Sequence, residues 1–147
     1  MKQNNWFDPF FILENLSTEE KLIQKNVNDF SKSVLRPTVV AHNRDHKFDR
    51  DLYKEFGRLG LLGSTVKNHG GAGASSAAYG LIAYEIEKID SSYRSSISVQ
   101  SSLVIHPIDS FGSDEQKERY LPELISGIKI GCFGLTESEA GSDPSSM

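Results

Sequence analysis

Apolar residues recur at helical spacing through most of the chain, and polar capping residues cut the pattern into segments. Ile23, Val27, Phe30 and Val34 fall on one face, and Ser17 and Glu20 ahead of them have capping-box spacing. This predicts a helix from Ser17 that kinks or breaks at Pro37 and resumes to about Arg44. A second helix is expected from Asp49 as N-cap to Gly60 as stop, with Leu52, Phe56 and Leu59 inward and Leu61 and Leu62 following into the core. A third is expected over Ser76 to Ile89, burying Leu81, Ile82, Ile86 and Ile89 and exposing Glu85, Glu87 and Lys88. Asp90-Ser91-Ser92 interrupts it and caps a fourth, serine-rich helix, Tyr93 to Ile105, which stops before Pro107. Ser113 and Gln116 form another capping box, Pro122 opens a last short turn, and Gly127 ends it.

Beyond Gly127 the period changes. Ile130 to Leu135 carries β-formers and predicts a strand, and Thr136 to Asp143 is a polar loop of small donors and acceptors. The expected fold is mainly α, one lone strand following the helices. Residues 1–15 read as an irregular arm whose Trp6, Phe7, Phe10 and Phe11 either pack on their own domain or dock on another surface.

The 147 residues are enough for one domain with a core, and 37% hydrophobic and 24% charged residues indicate a globular chain. The net charge of −4 argues against a nucleic-acid module, which needs a basic face. No run is long enough to span a membrane, and no signal or transit segment is read at the N-terminus, so a cytoplasmic location is expected.

The motifs with generic chemistry are weak. Gly70-Gly71-Ala72-Gly73 lacks the third glycine of a dinucleotide fingerprint and the Gly-Lys-Ser/Thr of a P-loop, so it reads as a turn. His42 and His46 lack the glutamate of a zinc-peptidase helix and read as solvated; no metal is expected. Cys132 has no neighbouring His or Lys and reads as a buried structural thiol. Arg94 stands near a helix start, where the helix dipole disfavours a cation. By itself it reads as half of an ordinary surface ion pair. The loop after Gly134 reads either as a polar surface turn or as a rim of backbone N–H groups and hydroxyls for a bound molecule. Gly134 and Gly141 would let that molecule approach the backbone.

The run Gly134-Leu-Thr-Glu-Ser-Glu-Ala-Gly-Ser-Asp143 resembles the signature loop of the flavin-dependent acyl-CoA dehydrogenases. Tyr93-Arg-Ser-Ser-Ile-Ser-Val-Gln-Ser-Ser-Leu-Val-Ile-His-Pro107, Phe111-Gly-Ser-Asp-Glu-Gln116, Tyr120-Leu-Pro122 and Gly131-Cys-Phe-Gly-Leu-Thr-Glu137 resemble its glutaryl-CoA dehydrogenase branch. The likeness runs from about residue 8 to residue 147. It implies a helical N-terminal domain over 16–128 and the start of a middle β-domain over 129–147. It implies FAD contact by Phe133, Gly134, Leu135, Thr136, Glu137, Ser138, Glu139, Ala140, Gly141 and Ser142.

Arg94 and Ser95 would face the distal carboxylate of the acyl chain, and Ser142 would also touch the CoA portion. Relatives often carry Pro and Asn where this chain has Glu137-Ser138-Glu139-Ala140, a departure expected to alter loop stiffness. The catalytic glutamate would lie beyond Met147, so no catalytic residue is expected here. The implied partners are glutaryl-CoA, an electron-transfer flavoprotein and further copies of the chain. The competing expectation for the chain alone is a non-catalytic helical interaction module.

Overall fold

The computed structural model describes residues 8–147, so Trp6 and Phe7 of the expected arm lie outside the described residues. Buried Asp8 accepts the N–H groups of Ile12 (2.8 Å) and Leu13 (2.9 Å) and so caps a 3₁₀ turn, Ile12–Asn15. Phe10 does not pack on its own domain: it is 81% exposed.

Helix α1 spans Thr18–Phe30, and both arms of its capping box form: Ser17 Oγ accepts from Glu20 N–H, and Glu20 accepts from Ser17 N–H. It continues without a break through a wide π turn, Ser31–Leu35, into α2, Arg36–Arg44. Helix α3 is Leu52–Arg58, α4 is Ser76–Glu87 and α5 is Ser91–Ser98. A second π turn, Val99–Ile105, leads into α6, His106–Phe111, and α7 is Asp114–Ile125 with the second capping box at Ser113 and Gln116. Helices α1 and α4 pack together, α5 packs on α4, and α7 packs on α6 and the second π turn.

Pro37 was expected to kink or break its helix and Pro107 to follow the end of another, but the helical path runs through both. A proline ring collides with the carbonyl four residues back and offers it no N–H. Each π turn lies just ahead of one of these prolines. Arg36 N–H reaches back to Ser31 O, and His106 N–H reaches back to Ser101 O, each spanning five residues. The wider turn relieves the collision and shifts the register by one residue. Val34, expected inward, is therefore 39% exposed, and Leu35 is fully buried in its place.

Pro122 likewise lies inside α7 rather than opening a turn. The helix runs through because Leu121, Leu124 and Ile125 on either side of it are buried. The carbonyl that Pro122 leaves without a donor belongs to exposed Glu118, where water can serve it.

The core runs from Val27, Phe30 and Leu35 through Phe56, Leu61 and Leu62 to Ile82, Ile86, Ile97, Ile105 and Leu121. Phe30 meets Phe56 edge to face at 6.0 Å, and Phe48 lies about as close to both Tyr53 and Tyr93. The end of α7 comes against α3 backbone to backbone. A Cβ on Gly57 would lie 2.3 Å from Ser126 C, and one on Gly127, at φ +75°, would lie 2.0 Å from Tyr53 O.

Glu85 was expected outside and is buried, 3% exposed. It accepts Gln24 Nε2 at 2.9 Å and Asn28 Nδ2 at 2.6 Å from α1, and Lys88 Nζ at 2.6 Å from the end of its own helix. Periodicity does place position 85 next to Ile86 and Ile82, but the polar face of α1 that makes its burial tolerable is invisible from α4 alone. Burial pushes the Glu85 carboxyl up, but hydrogen bonds from Lys88, Asn28 and Gln24 outweigh it and hold the group below its ordinary value of 4.5.

Glu85→Leu is expected to cost roughly 2–3 kcal/mol, because Gln24 and Asn28 are left without their acceptor. Since the folded carboxyl holds its proton less tightly than the unfolded one, its stabilisation is complete above the ordinary value and is lost as pH falls through the lower folded value. Urea midpoints at pH 7 and at about pH 3.5 should therefore differ more for the wild type than for Glu85→Gln.

Candidate functional site

Helix α5 begins at Asp90, whose side chain accepts Ser92 N–H at 2.8 Å. One turn on, the dipole-disfavoured cation Arg94 is compensated locally. Its Nε donates to Glu87 Oε2 at 2.6 Å and its Nη1 to Ser98 Oγ at 3.3 Å. The side chain is 35% exposed, and Nη2 makes no hydrogen bond to the described residues. Ser95 is partly buried; its carbonyl accepts Ser98 Oγ at 3.1 Å, while its own hydroxyl is unengaged among the described residues.

The strand expected over Ile130 to Leu135 does not form, and no strand occurs among the described residues. A strand needs a neighbour for its ladder, and among the described residues the backbone of 130–135 has one partner, the Gln100 side chain at Gly131. Lys129 N–H donates to Glu123 O at 2.9 Å. Gly131 N–H donates to Gln100 Oε1 at 2.9 Å, and Gln100 Nε2 donates to Leu124 O and Lys129 O, both at 2.9 Å. Gln100 lies in the second π turn and is 0% exposed. Gly131 packs on Val104 so closely that a Cβ would lie 2.4 Å from Cγ1. Nothing in the sequence marks Gln100: a glutamine among serines carries no helical-face signal that it is buried.

Beyond Gly131 the chain opens to solvent. Cys132, expected buried, is exposed, and Phe133 and Leu135 are 48% and 42% exposed. Glu137 and Ala140 exchange backbone hydrogen bonds at 3.0 and 3.3 Å, closing a small turn that buries Ala140 to 3% exposure. Among the described residues no hydrogen bond uses the backbone N–H groups of Phe133, Gly134, Leu135, Thr136, Ser138, Glu139, Gly141 or Ser142. The hydroxyls of Thr136, Ser138 and Ser142 are equally free. A Cβ on Gly134 or Gly141 would meet nothing within 4 Å, so the chain's own packing does not require glycine at either place.

This loop can offer a row of donors to a polar molecule laid along it. The donor set and the open glycines suit a flavin dinucleotide, whose ring edge and phosphates accept hydrogen bonds. Gln100 ties the start of this loop to the helical run that also carries Arg94 and Ser95, although no hydrogen bond or ion pair joins either residue to positions 133–142.

His46 is exposed, while His42 is half-buried with an Nδ1 that has no partner, in a cleft they share with Lys47, Asp90 and Tyr93. Among the described residues no group of three or more His, Cys, Asp and Glu side chains could hold a metal ion, and no helix is long and apolar enough to cross a membrane.

The family model "Acyl-CoA dehydrogenase, N-terminal domain" matches residues 17–128, and the chain belongs to the acyl-CoA dehydrogenase family. It is 36% identical over 134 residues to an acyl-CoA dehydrogenase of Bacillus subtilis, covering 90% of this chain and 35% of that protein.

Two solved structures are similar. A glutaryl-CoA dehydrogenase from Mycobacterium smegmatis is 45% identical with a TM-score of 0.88, over 95% of this chain and 37% of that one. A glutaryl-CoA dehydrogenase from Mycobacterium smegmatis in complex with FADH2 is 41% identical with a TM-score of 0.89, over 94% and 36%. The chain thus spans about a third of the length of these relatives. The family uses FAD.

The Arg94–Glu87 pair is half exposed, so it should contribute little to stability. Glu87→Gln is expected to shift the unfolding free energy by less than about 1 kcal/mol, measured by urea denaturation at low and high salt.

Proposed function

We propose that the chain is the N-terminal part of an FAD-dependent acyl-CoA dehydrogenase that oxidises and decarboxylates glutaryl-CoA to crotonyl-CoA. The observation that carries the choice of substrate is Arg94. Its guanidinium is accessible, keeps one nitrogen unengaged and stands beside the free hydroxyl of Ser95. Arginine is always charged and can grip a carboxylate with two parallel hydrogen bonds. A plain fatty acyl chain has no group that needs it. On binding, the distal carboxylate would compete with Glu87 for Arg94.

The residues that would hold FAD are those of the open loop: the backbone N–H groups from Phe133 to Thr136, the turn Glu137-Ser138-Glu139-Ala140, and Gly141 with Ser142. When bound, FAD supplies the hydride acceptor. Ser142 would also reach the CoA portion. In this reading residues 16–128 form the helical domain, and residues 129–147 belong with a following β-domain. The glutamate that takes the α-proton comes from the part of the enzyme that this chain does not span. An electron-transfer flavoprotein receives the electrons, and copies of the enzyme assemble to complete the flavin site.

One loop is one wall of such a site, and cofactors are held by burying most of their surface. The 147-residue chain is therefore expected to bind FAD weakly or not at all in a fluorescence titration. Tight one-to-one binding would mean that the pocket is already complete.

The substrate reading is tested in an enzyme that joins this chain to the remaining two thirds of a family member. Arg94→Gln should lower kcat/KM for glutaryl-CoA by roughly two to three orders of magnitude and that for butyryl-CoA far less. Equal losses for the two substrates would remove the glutaryl assignment.

A further inference from the structure

We propose that Gln100 is the positioning residue of the flavin loop: its buried amide holds the point from which residues 132–142 leave the helical domain. This rests on the reading of those residues as the flavin wall. The amide uses both of its functions. Its NH₂ group serves two carbonyls, at Leu124 in the last turn of α7 and at Lys129, and its oxygen accepts Gly131 N–H. All three partners are backbone atoms, and the side chain that holds them is fully buried. One side chain thus fixes both ends of the turn that connects α7 to the loop.

Past Gly131 the next backbone hydrogen bonds are those between Glu137 and Ala140. The Gln100 contact is therefore the last fixed point before Thr136. Gly131 is matched to it: any side chain there would strike Val104 and lift the N–H off the glutamine. The chemistry is specific to an amide of this length. Methionine fills the space with no donor or acceptor, a carboxylate sets negative charge against two carbonyls, and asparagine is one methylene too short to span the partners. Gln100 also lies about one and a half turns along the helical run from Arg94 and Ser95. The geometry therefore ties the loop that would hold the flavin to the helix that would hold the acyl carboxylate.

Hydrogen exchange on the 147-residue chain tests this without cofactor or substrate. In the wild type, Gly131 N–H should be protected while Cys132 to Thr136, whose N–H groups are free, should exchange rapidly. Gln100→Met should lower the protection of Lys129 and Gly131 at least about tenfold and leave α1 and α4 unchanged.

Gln100→Glu supplies a readout that a volume-filling role would not move. At about pH 8 its carboxylate can still accept Gly131 N–H but sets its charge against the Leu124 and Lys129 carbonyls, so protection should fall below wild type though less than in the methionine variant. At about pH 5, where a buried carboxyl is protonated and regains one donor, Gly131 protection normalised to intrinsic rates should partly return. Wild-type Gly131 exchanging as fast as Cys132, or unchanged protection in a folded Gln100→Met, would overturn the proposal. If neither variant folds, the wild-type contrast between Gly131 and Cys132 decides. Failure of the Arg94 experiment with the exchange result intact would remove the substrate reading and leave the positioning role standing.

Discussion

A proline inside an α-helix must be given room for its ring and a substitute for its missing N–H. This chain meets that demand twice with a π turn, ahead of Pro37 and ahead of Pro107, and much of the core depends on the outcome. The extra residue in the first turn rotates Leu35 into the interior; the second lets residues 91–111 run on as one helical stretch, with Tyr93, Ile97, Val104 and Ile105 all on the buried side. Had Pro107 ended the helix, α6 would not continue from that stretch to pack against α7. The site inherits the same geometry, because Arg94, Ser95 and Gln100 are carried on the stretch that the second π turn keeps continuous.

Two buried polar side chains do different work in this helical frame. Glu85 joins α4 to α1 through side-chain partners, so its neighbours must be the right residue types. Gln100 joins the second π turn to a turn of backbone, so apart from Gly131, which has no room for a side chain, its partners need only the right conformation. Leaving either unsatisfied would cost more than the bonds contribute, since a buried group without a partner has lost its water as well. Such contacts favour one arrangement of the helices more than they deepen the folding free energy.

The helical plan was legible in the residues. Both capping boxes form, Asp90 caps α5 through its side chain, and Gly60 ends the α3 region with a positive φ of 70°. What failed was inference from single residues whose effect depends on neighbours far along the chain. Prolines read as breaks became parts of helices, because a π turn leaves no mark in the apolar period. Glu85 read as solvent-facing, because its acceptors' partners lie on a different helix. The lone strand and the buried cysteine failed together: residues 130–135 have β-forming side chains, but without a ladder partner they stay irregular and open. The residues proposed for the site stand out in the sequence as motifs, Gly134 to Asp143 and Arg94-Ser95. The proposed anchor, Gln100, does not, because nothing local to the helix distinguishes a glutamine that reaches a distant turn from one that faces water.

The exposure of Cys132 has a practical side. It is the sole thiol of the chain, it lies one residue past the Gln100 anchor, and it opens to solvent at the root of the donor-rich loop. A fluorophore or spin label attached there would need no engineered cysteine and no removal of competing ones. Its rotational freedom would report on the loop alone, with the helical body behind it serving as the stationary frame.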